Sequence, residues 1–150
     1  MNLFDLTGKT AIVTGGSTGL GAGMSLALAE AGADIVLVDH NKRTHIASAI
    51  NKLGRKTLSL TGDLTDLDFI RKVVDDVIDS FDKIDILVNN AGIIRRTPAI
   101  DYSEKDWDDV MNLNSKSLFY ENTIIGSIAP TNISVIIGSF IFGLAMQLAG

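Results

Sequence analysis

Thr14-Gly15-Gly16-Ser17-Thr18-Gly19-Leu20-Gly21 is the stretch of sequence that decides the fold. It follows a short apolar run at residues 10–13 and precedes an alanine-rich segment at residues 22–31. This order predicts a buried strand, a glycine turn and a helix, which is the local context of a dinucleotide site. Glycines there let a pyrophosphate approach the free N–H groups at the positive end of the helix dipole. The spacing is Gly-x-x-x-Gly-x-Gly, and an ordinary strand-to-helix turn is the alternative.

Strand and helix patterns alternate along the chain. The apolar runs predict four strands, at residues 10–15, 34–39, 56–61 and 84–88. Helical spacing and capping residues predict helices up to residue 31, over 42–53, from Thr65 with Asp68 to residue 81, and from Ser103 with Asp106. Such alternation predicts a three-layer α/β Rossmann fold with a parallel sheet, as one domain over residues 1–150.

Polar residues follow the predicted strands at their carboxyl ends, where ligands bind in sheets of this kind. Asp39 ends the second strand and is expected to accept hydrogen bonds from the ribose hydroxyls of an adenosine. Its charge would repel a 2′-phosphate, so NAD is favoured over NADP, although Lys42 and Arg43 lie nearby and soften that preference. Asp63 is expected to accept from the adenine amino group. The alternatives are a helix-capping aspartate at residue 39 and a plain turn residue at 63.

Composition excludes several classes of function. The net charge of −5 and the lack of a large basic cluster argue against nucleic-acid binding. The absence of cysteine excludes disulfides and a thiol nucleophile, and it fits a cytoplasmic location. His40 and His45 have no suitable third ligand nearby, so no metal site is expected. Residues 1–9 lack the form of a signal peptide.

The ordered motifs resemble those of the short-chain dehydrogenase/reductase family over residues 1 to about 120. They are Thr14-Gly15-x-x-x-Gly19-x-Gly21, Asp63-Leu64, Asn89-Asn90-Ala91-Gly92 and Asn114 within Asn112-Leu113-Asn114-Ser115-Lys116. The resemblance is strongest to members that act on sugar acids of the 2-deoxy-gluconate type. It implies NAD-linked hydride transfer to or from a small sugar acid, and full-length relatives that are usually homotetramers. The cofactor-binding residues implied are Gly15, Ser17, Thr18, Gly19, Leu20, Gly21, Asp39, Asp63, Leu64, Asn90, Ala91 and Gly92.

The resemblance also suggests catalytic and substrate residues. Asn114 would order a water in the proton relay and stabilise the active-site helix. Arg95 and Arg96 could receive the substrate carboxylate, since a guanidinium fork matches that group, or they could form an exposed loop pair. The family's general base is a tyrosine four residues before a lysine, and the 150 residues contain no Tyr-x-x-x-Lys. This chain alone is therefore expected to be inactive, and a non-catalytic NAD-binding fragment is the alternative.

The segment after Tyr120 departs from the family pattern. Residues 122–150 contain no charged side chain, whereas the family's helix here is amphipathic. Residues 133–139 could form a fifth strand that ends at a catalytic Ser139, or they could be apolar by chance. Three interpretations stay open for this tail: a frame-altered end, a fifth strand cut short with the fold incomplete, or a membrane-seeking segment, the last being disfavoured.

Overall fold

The computed structural model describes residues 4–128 and 134–137 of the chain. They form a parallel sheet of five strands in the order β3-β2-β1-β4-β5. The strands are β1 (Thr10–Thr14), β2 (Asp34–Asp39), β3 (Thr57–Thr61), β4 (Ile86–Asn89) and β5 (Ser134–Ile137). The predicted Rossmann architecture is confirmed. The strand order reverses beside β1, so the switch point of the sheet lies at the glycine turn.

Within residues 4–128, five α-helices connect and cover the strands. They are α1 (Gly19–Glu30), α2 (His45–Lys52), α3 (Leu67–Phe81), α4 (Glu104–Met111) and α5 (Leu118–Ile128). A short 3₁₀ turn at Ala99–Asp101 precedes α4, and a π-helical segment, Asn112–Ser117, joins α4 to α5. The predicted start of a helix at Ser103 is confirmed, because its hydroxyl accepts from the Asp106 N–H at 3.0 Å.

The start of α3 differs from the prediction. Thr65 and Asp68 were expected to form a capping box, but the N-cap is Asp66, whose carboxylate accepts from the Asp68 N–H at 2.9 Å. Thr65 is engaged elsewhere: its N–H and hydroxyl both donate to Asp63, at 2.8 and 2.7 Å. The prediction was wrong because Thr65 and Asp66 are both residue types that can cap a helix. The hydrogen bonds of Thr65 to Asp63 leave Asp66 as the cap.

The core consists of two apolar layers, one on each face of the sheet. On one face, Ile12 and Val36 pack with Val74 and Val77 of α3 and Ile125 of α5. On the other face, strand residues pack with Ala29 of α1 and with Ile46 and Ile50 of α2. Covering on both faces explains why β1, β2 and β4 are almost wholly apolar rather than alternating.

Acidic residues at the amino-terminal edge of the sheet have structural partners. Asp85 accepts from Lys9 Nζ and from the Thr10 N–H, both at 2.9 Å, which joins the starts of β1 and β4. Burial disfavours its charged form, but these hydrogen bonds prevail and hold the pKa of Asp85 below its usual value. Asp34 pairs with Arg55 at 2.7 Å. Neither carboxylate is at the edge where ligands bind.

The predicted fifth strand is present over Ser134–Ile137, hydrogen-bonded in parallel to β4. The candidate Ser139 lies outside the described residues. Within the described ranges, no helix has both the length and the apolar character needed to cross a bilayer.

Glu121 is a carboxyl group within the core. Its side chain on α5 is 4 % exposed, and it adjoins a small void shared with Ile12, Val38 and Ile125. Its Oε2 atom has no hydrogen-bond partner. Burial raises the pKa of Glu121 from 4.5 to about 7, because the charged form loses its hydration.

This burial predicts a stability that falls as pH rises. Since the folded pKa exceeds the unfolded one, the native state holds an extra proton between pH 4.5 and about 7. The free energy of unfolding should therefore drop by roughly 3 kcal/mol across that window and level off above it. Urea unfolding of Glu121→Gln should show a weaker pH dependence and higher stability at pH 8. Glu30→Gln, at an exposed site on α1, should behave as the wild type, and equal pH profiles for all three proteins would contradict the prediction.

Candidate functional site

A cavity of about 600 Å³ lies at the carboxyl ends of the strands, in the size range of small-molecule and cofactor sites. The glycine turn and the loops after β2, β3 and β4 meet there, together with residues of α4 and the π-helical segment. Its lining residues are Gly15, Thr18, Val38, Asp39, His40, Asn41, Arg43, Gly62, Asp63, Leu64, Thr65, Ala91, Gly92, Ile93, Arg95, Asp109, Asn112 and Leu113.

The glycine turn positions the N-terminus of α1 at this cavity. Gly15 has a φ of +62°, and a Cβ on Gly21 would lie 2.1 Å from the Gly15 carbonyl oxygen. The helix therefore approaches the turn at a distance that only glycine permits. Thr18 makes no side-chain cap, and no acidic residue occupies the first turn of α1. The first N–H groups of the helix have no side-chain acceptor and can receive an anion.

Thr14 and Asn90 join the glycine turn to the turn after β4. The Asn90 Nδ2 atom donates to the carbonyl oxygens of Thr14 and Gly15, both at 3.1 Å. In return, the Thr14 hydroxyl accepts from the N–H groups of Asn90 at 3.2 Å and Ala91 at 3.1 Å. Thr14 was not among the predicted site residues. A threonine at the end of a buried strand was a usable signal, because a buried hydroxyl needs partners.

Asp39 projects from the end of β2 and is held by Ser17 of the glycine turn. The Ser17 N–H donates to Oδ1 at 3.2 Å, and the Ser17 hydroxyl donates to Oδ2 at 2.5 Å. Asp39 is half-buried and lines the cavity. Its carboxylate is thus oriented by the protein, with lone pairs left over for a ligand.

Asp63 lies across the cavity in the loop after β3. Hydrogen bonds from the N–H and the hydroxyl of Thr65 lower the pKa of Asp63 below its usual value. The carboxylate therefore stays ionised well below neutral pH and acts only as an acceptor.

Asn114 ties the loop after β4 to the π-helical segment. Its side chain is 6 % exposed. Its Oδ1 accepts from the Ile93 N–H and its Nδ2 donates to the Ile93 carbonyl, both at 2.9 Å. This pair of hydrogen bonds uses both polar atoms of the side-chain amide on one backbone residue.

The two arginines after this loop differ in placement. Arg95 lines the cavity, and its guanidinium pairs with Asp106 at 3.5 Å and Asp109 at 3.4 Å on α4. Hydrogen bonds from Lys105 and then from Arg95 keep the pKa of Asp109 low. Arg96 is exposed and outside the cavity. A substrate role for either residue stays a prediction.

Comparison with known proteins agrees with this geometry. The sequence pattern of the family described as short chain dehydrogenase matches residues 9–125. The chain belongs to the short-chain dehydrogenase family. Members are oxidoreductases that use nicotinamide cofactors, and the turns of this chain that bound the cavity are those that carry the family motifs.

Several of the similar proteins are dehydrogenases of gluconate-type sugar acids. The 2-dehydro-3-deoxy-D-gluconate 5-dehydrogenase of Escherichia coli is 53 % identical over 120 residues, which are 80 % of this chain and 47 % of that protein. This chain thus spans about half the length of the curated relatives it matches. A proposed 2-deoxy-D-gluconate 3-dehydrogenase from Agrobacterium tumefaciens, with bound NADP, has a TM-score of 0.75 and 38 % identity over 85 % of this chain and 50 % of that one. A short chain dehydrogenase from Mycobacterium paratuberculosis, bound to NAD, has a TM-score of 0.83 and 25 % identity over 89 % and 56 %.

The predicted cofactor residues fall into three groups. Those that line the cavity are Gly15, Thr18, Asp39, Asp63, Leu64, Ala91 and Gly92. Those that contact lining residues without lining the cavity themselves are Ser17, Gly21 and Asn90. Gly19 and Leu20 are on the exposed first turn of α1, where the Leu20 side chain is 70 % exposed. The lining residues that motif reasoning missed include His40, Asn41, Thr65, Ile93, Asp109, Asn112 and Leu113.

The close approach of α1 predicts opposite effects at two glycines of one helix. Gly21→Ala should lower the free energy of unfolding by roughly 1–3 kcal/mol or more, because the methyl group meets the Gly15 backbone. Gly23→Ala, where a Cβ meets nothing within 4 Å, should raise it by about 0.5–1 kcal/mol. Urea unfolding midpoints measure both. A tolerated Gly21→Ala would contradict the packing described.

Removing the Asn114 amide should loosen the loop after β4. Asn114→Ala leaves both polar groups of the Ile93 backbone without their partner, at a cost of about 1–3 kcal/mol. Amide exchange at Ile93 should accelerate. Asn112→Ala, an exposed change two residues earlier, serves as the control and should leave that exchange rate unchanged. Slow exchange at Ile93 in the Asn114 variant would show that another contact holds the loop.

Proposed function

We propose that this chain forms the dinucleotide-binding part of an NAD-dependent oxidoreductase that acts on a small sugar acid. The observation that carries the proposal is the Asp39 carboxylate, oriented by Ser17 and facing the cavity beside the glycine turn. A carboxylate at the end of the second strand accepts hydrogen bonds from ribose hydroxyls. Uncapped N–H groups at the start of α1 supply the complementary donors for a pyrophosphate.

The preference for NAD over NADP rests on the charge at Asp39. A 2′-phosphate is an acceptor with negative charge, so it would face repulsion there and would find no donor on the carboxylate. Arg43 lines the same cavity and works in the opposite direction, since a guanidinium attracts phosphate. Similar solved structures include one with bound NADP and others with bound NAD. The hydrogen bond from Ser17 holds the Asp39 carboxylate directly against the glycine turn.

The sugar-acid substrate is supported by the relative that is 53 % identical, a 2-dehydro-3-deoxy-D-gluconate 5-dehydrogenase. The nicotinamide, when bound, supplies the acceptor or donor of a hydride at a hydroxyl-bearing carbon. The residues of this chain would bind and orient: Asp39 the ribose, Asp63 the adenine amino group, and Asn114 the loop beside the reacting carbon. Arg95 and Arg96 are proposed to bind the substrate carboxylate, and Arg96 is the exposed member of this pair.

Proton transfer is the step for which these residues provide no group. The 150 residues contain no Tyr-x-x-x-Lys, so they lack the phenolate that serves as general base in the family. This observation favours the second candidate for the chain by itself, a module that binds NAD without turnover. Ser139 as the catalytic serine, a cytoplasmic location and a homotetrameric full-length protein also stay predictions.

Cofactor titration tests the proposed binding function. NAD should bind to the wild-type chain more tightly than NADP, as measured by calorimetry. Asp39→Ala should weaken NAD about 10- to 100-fold, the loss of one or two charge-assisted hydrogen bonds. Asp75→Ala, which removes an exposed carboxylate from α3, is the matched control and should leave both affinities unchanged. Preference for NADP would contradict the role of Asp39, and failure to bind either would contradict the function.

A turnover assay tests the absence of a general base. The purified 150-residue chain, saturated with NAD and given 2-deoxy-gluconate, should produce no NADH above background. Absorbance of the reduced nicotinamide measures the rate. Measurable turnover would show that a group other than the family tyrosine accepts the proton.

A further inference from the structure

Ser17 lies behind the cavity rather than in it. Its side chain is 1 % exposed and is not part of the cavity wall. Both of its donors nevertheless point to one group that is: the N–H to Oδ1 of Asp39 at 3.2 Å and the hydroxyl to Oδ2 at 2.5 Å. These two hydrogen bonds connect Ser17 to the cavity through the Asp39 carboxylate.

Two donors on two oxygens fix the orientation of that carboxylate. The terminal torsion of an aspartate is broad, so a single hydrogen bond would leave the group free to turn. A short O–H···O⁻ contact is charge-assisted and stronger than a neutral one. With one oxygen held by the backbone and the other by the hydroxyl, the remaining lone pairs face a constant direction.

We propose that Ser17 is a positioning residue that sets the choice between the two nicotinamide dinucleotides by locking the Asp39 carboxylate. The inference rests on the proposed function, in which Asp39 receives the adenosine ribose. A locked carboxylate accepts from a 2′-hydroxyl and cannot turn away from a 2′-phosphate. Released from Ser17, it can turn away from a 2′-phosphate, which Arg43 of the cavity lining can then attract, and the repulsion that excludes NADP is relieved.

Ser25 provides a matched control for Ser17. It is also fully buried, and its hydroxyl donates to the Gly16 carbonyl at 3.0 Å, so it supports the same glycine turn without contact to Asp39. A variant that only loosens the turn should change the affinities for NAD and NADP together. A variant that releases Asp39 should change their ratio.

The test is the ratio of the NADP and NAD dissociation constants, measured by calorimetry on the full chain. Ser17→Ala should lower the preference for NAD about tenfold, the effect of losing one charge-assisted hydrogen bond, and Ser25→Ala should not alter it. Ser17→Cys keeps the shape of the side chain, slightly enlarged, but is a weak donor. It should therefore resemble Ser17→Ala, and it replaces that variant if thermal unfolding shows Ser17→Ala to be misfolded. In an Asp39→Ala background, Ser17→Ala should have no further effect on the ratio.

The outcomes separate this inference from the proposed function. If Asp39→Ala changes the ratio and the Ser17 variants do not, the positioning role is overturned while the function stands. Additive effects of Ser17→Ala and Asp39→Ala would also overturn it, because the serine would then act independently. If Asp39→Ala leaves the ratio unchanged, the ribose role of Asp39 and this inference fail together, while the binding of NAD can still stand. If the wild type binds neither dinucleotide, the proposed function fails and the inference fails with it.

Discussion

The approach of α1 to the glycine turn is the constraint on which the rest of the site depends. A Cβ on Gly21 would lie 2.1 Å from the Gly15 carbonyl oxygen and 2.5 Å from the Asn90 amide nitrogen. The helix N-terminus, the turn after β1 and the turn after β4 therefore meet at one point where no side chain fits. That meeting places free helical N–H groups at the switch point of the sheet, where a parallel α/β fold binds its ligands.

Around this point, residues that each make two hydrogen bonds hold segments that are distant in sequence. Asn90 binds two carbonyls of the first turn, Asn114 binds both polar groups of Ile93, and Ser17 binds both oxygens of Asp39. Each of these residues orients another segment rather than forming much of the cavity wall itself. The ligand-facing groups are thus positioned before a ligand arrives, which lowers the ordering cost of binding.

The sequence predicted the strands to within one or two residues and identified the rim that carries Asp39 and Asp63. These predictions were possible because strands buried on both faces require apolar runs. Polar residues at the carboxyl ends of the strands then mark the edge of the sheet where ligands bind. It did not show that Arg95 pairs with Asp106 and Asp109, nor that Asp66 rather than Thr65 caps α3. These outcomes depend on which of several nearby donors and acceptors pair with one another. The spacing of residues along the chain does not show which pair is preferred.

The sequence by itself therefore determined the architecture and predicted the class of ligand. The spacing of apolar residues, the positions of glycines and the residues at strand ends are local properties of the sequence. Steric limits on the backbone make such local patterns form strands, helices and turns. Only the tertiary structure decided that Ser17 is buried against Asp39, that Thr14 bridges two turns and that Glu121 lies in the core with a pKa of about 7. Burial and partner choice arise from segments that meet in space, so the free energy of each polar group is set by neighbours that are remote in the chain.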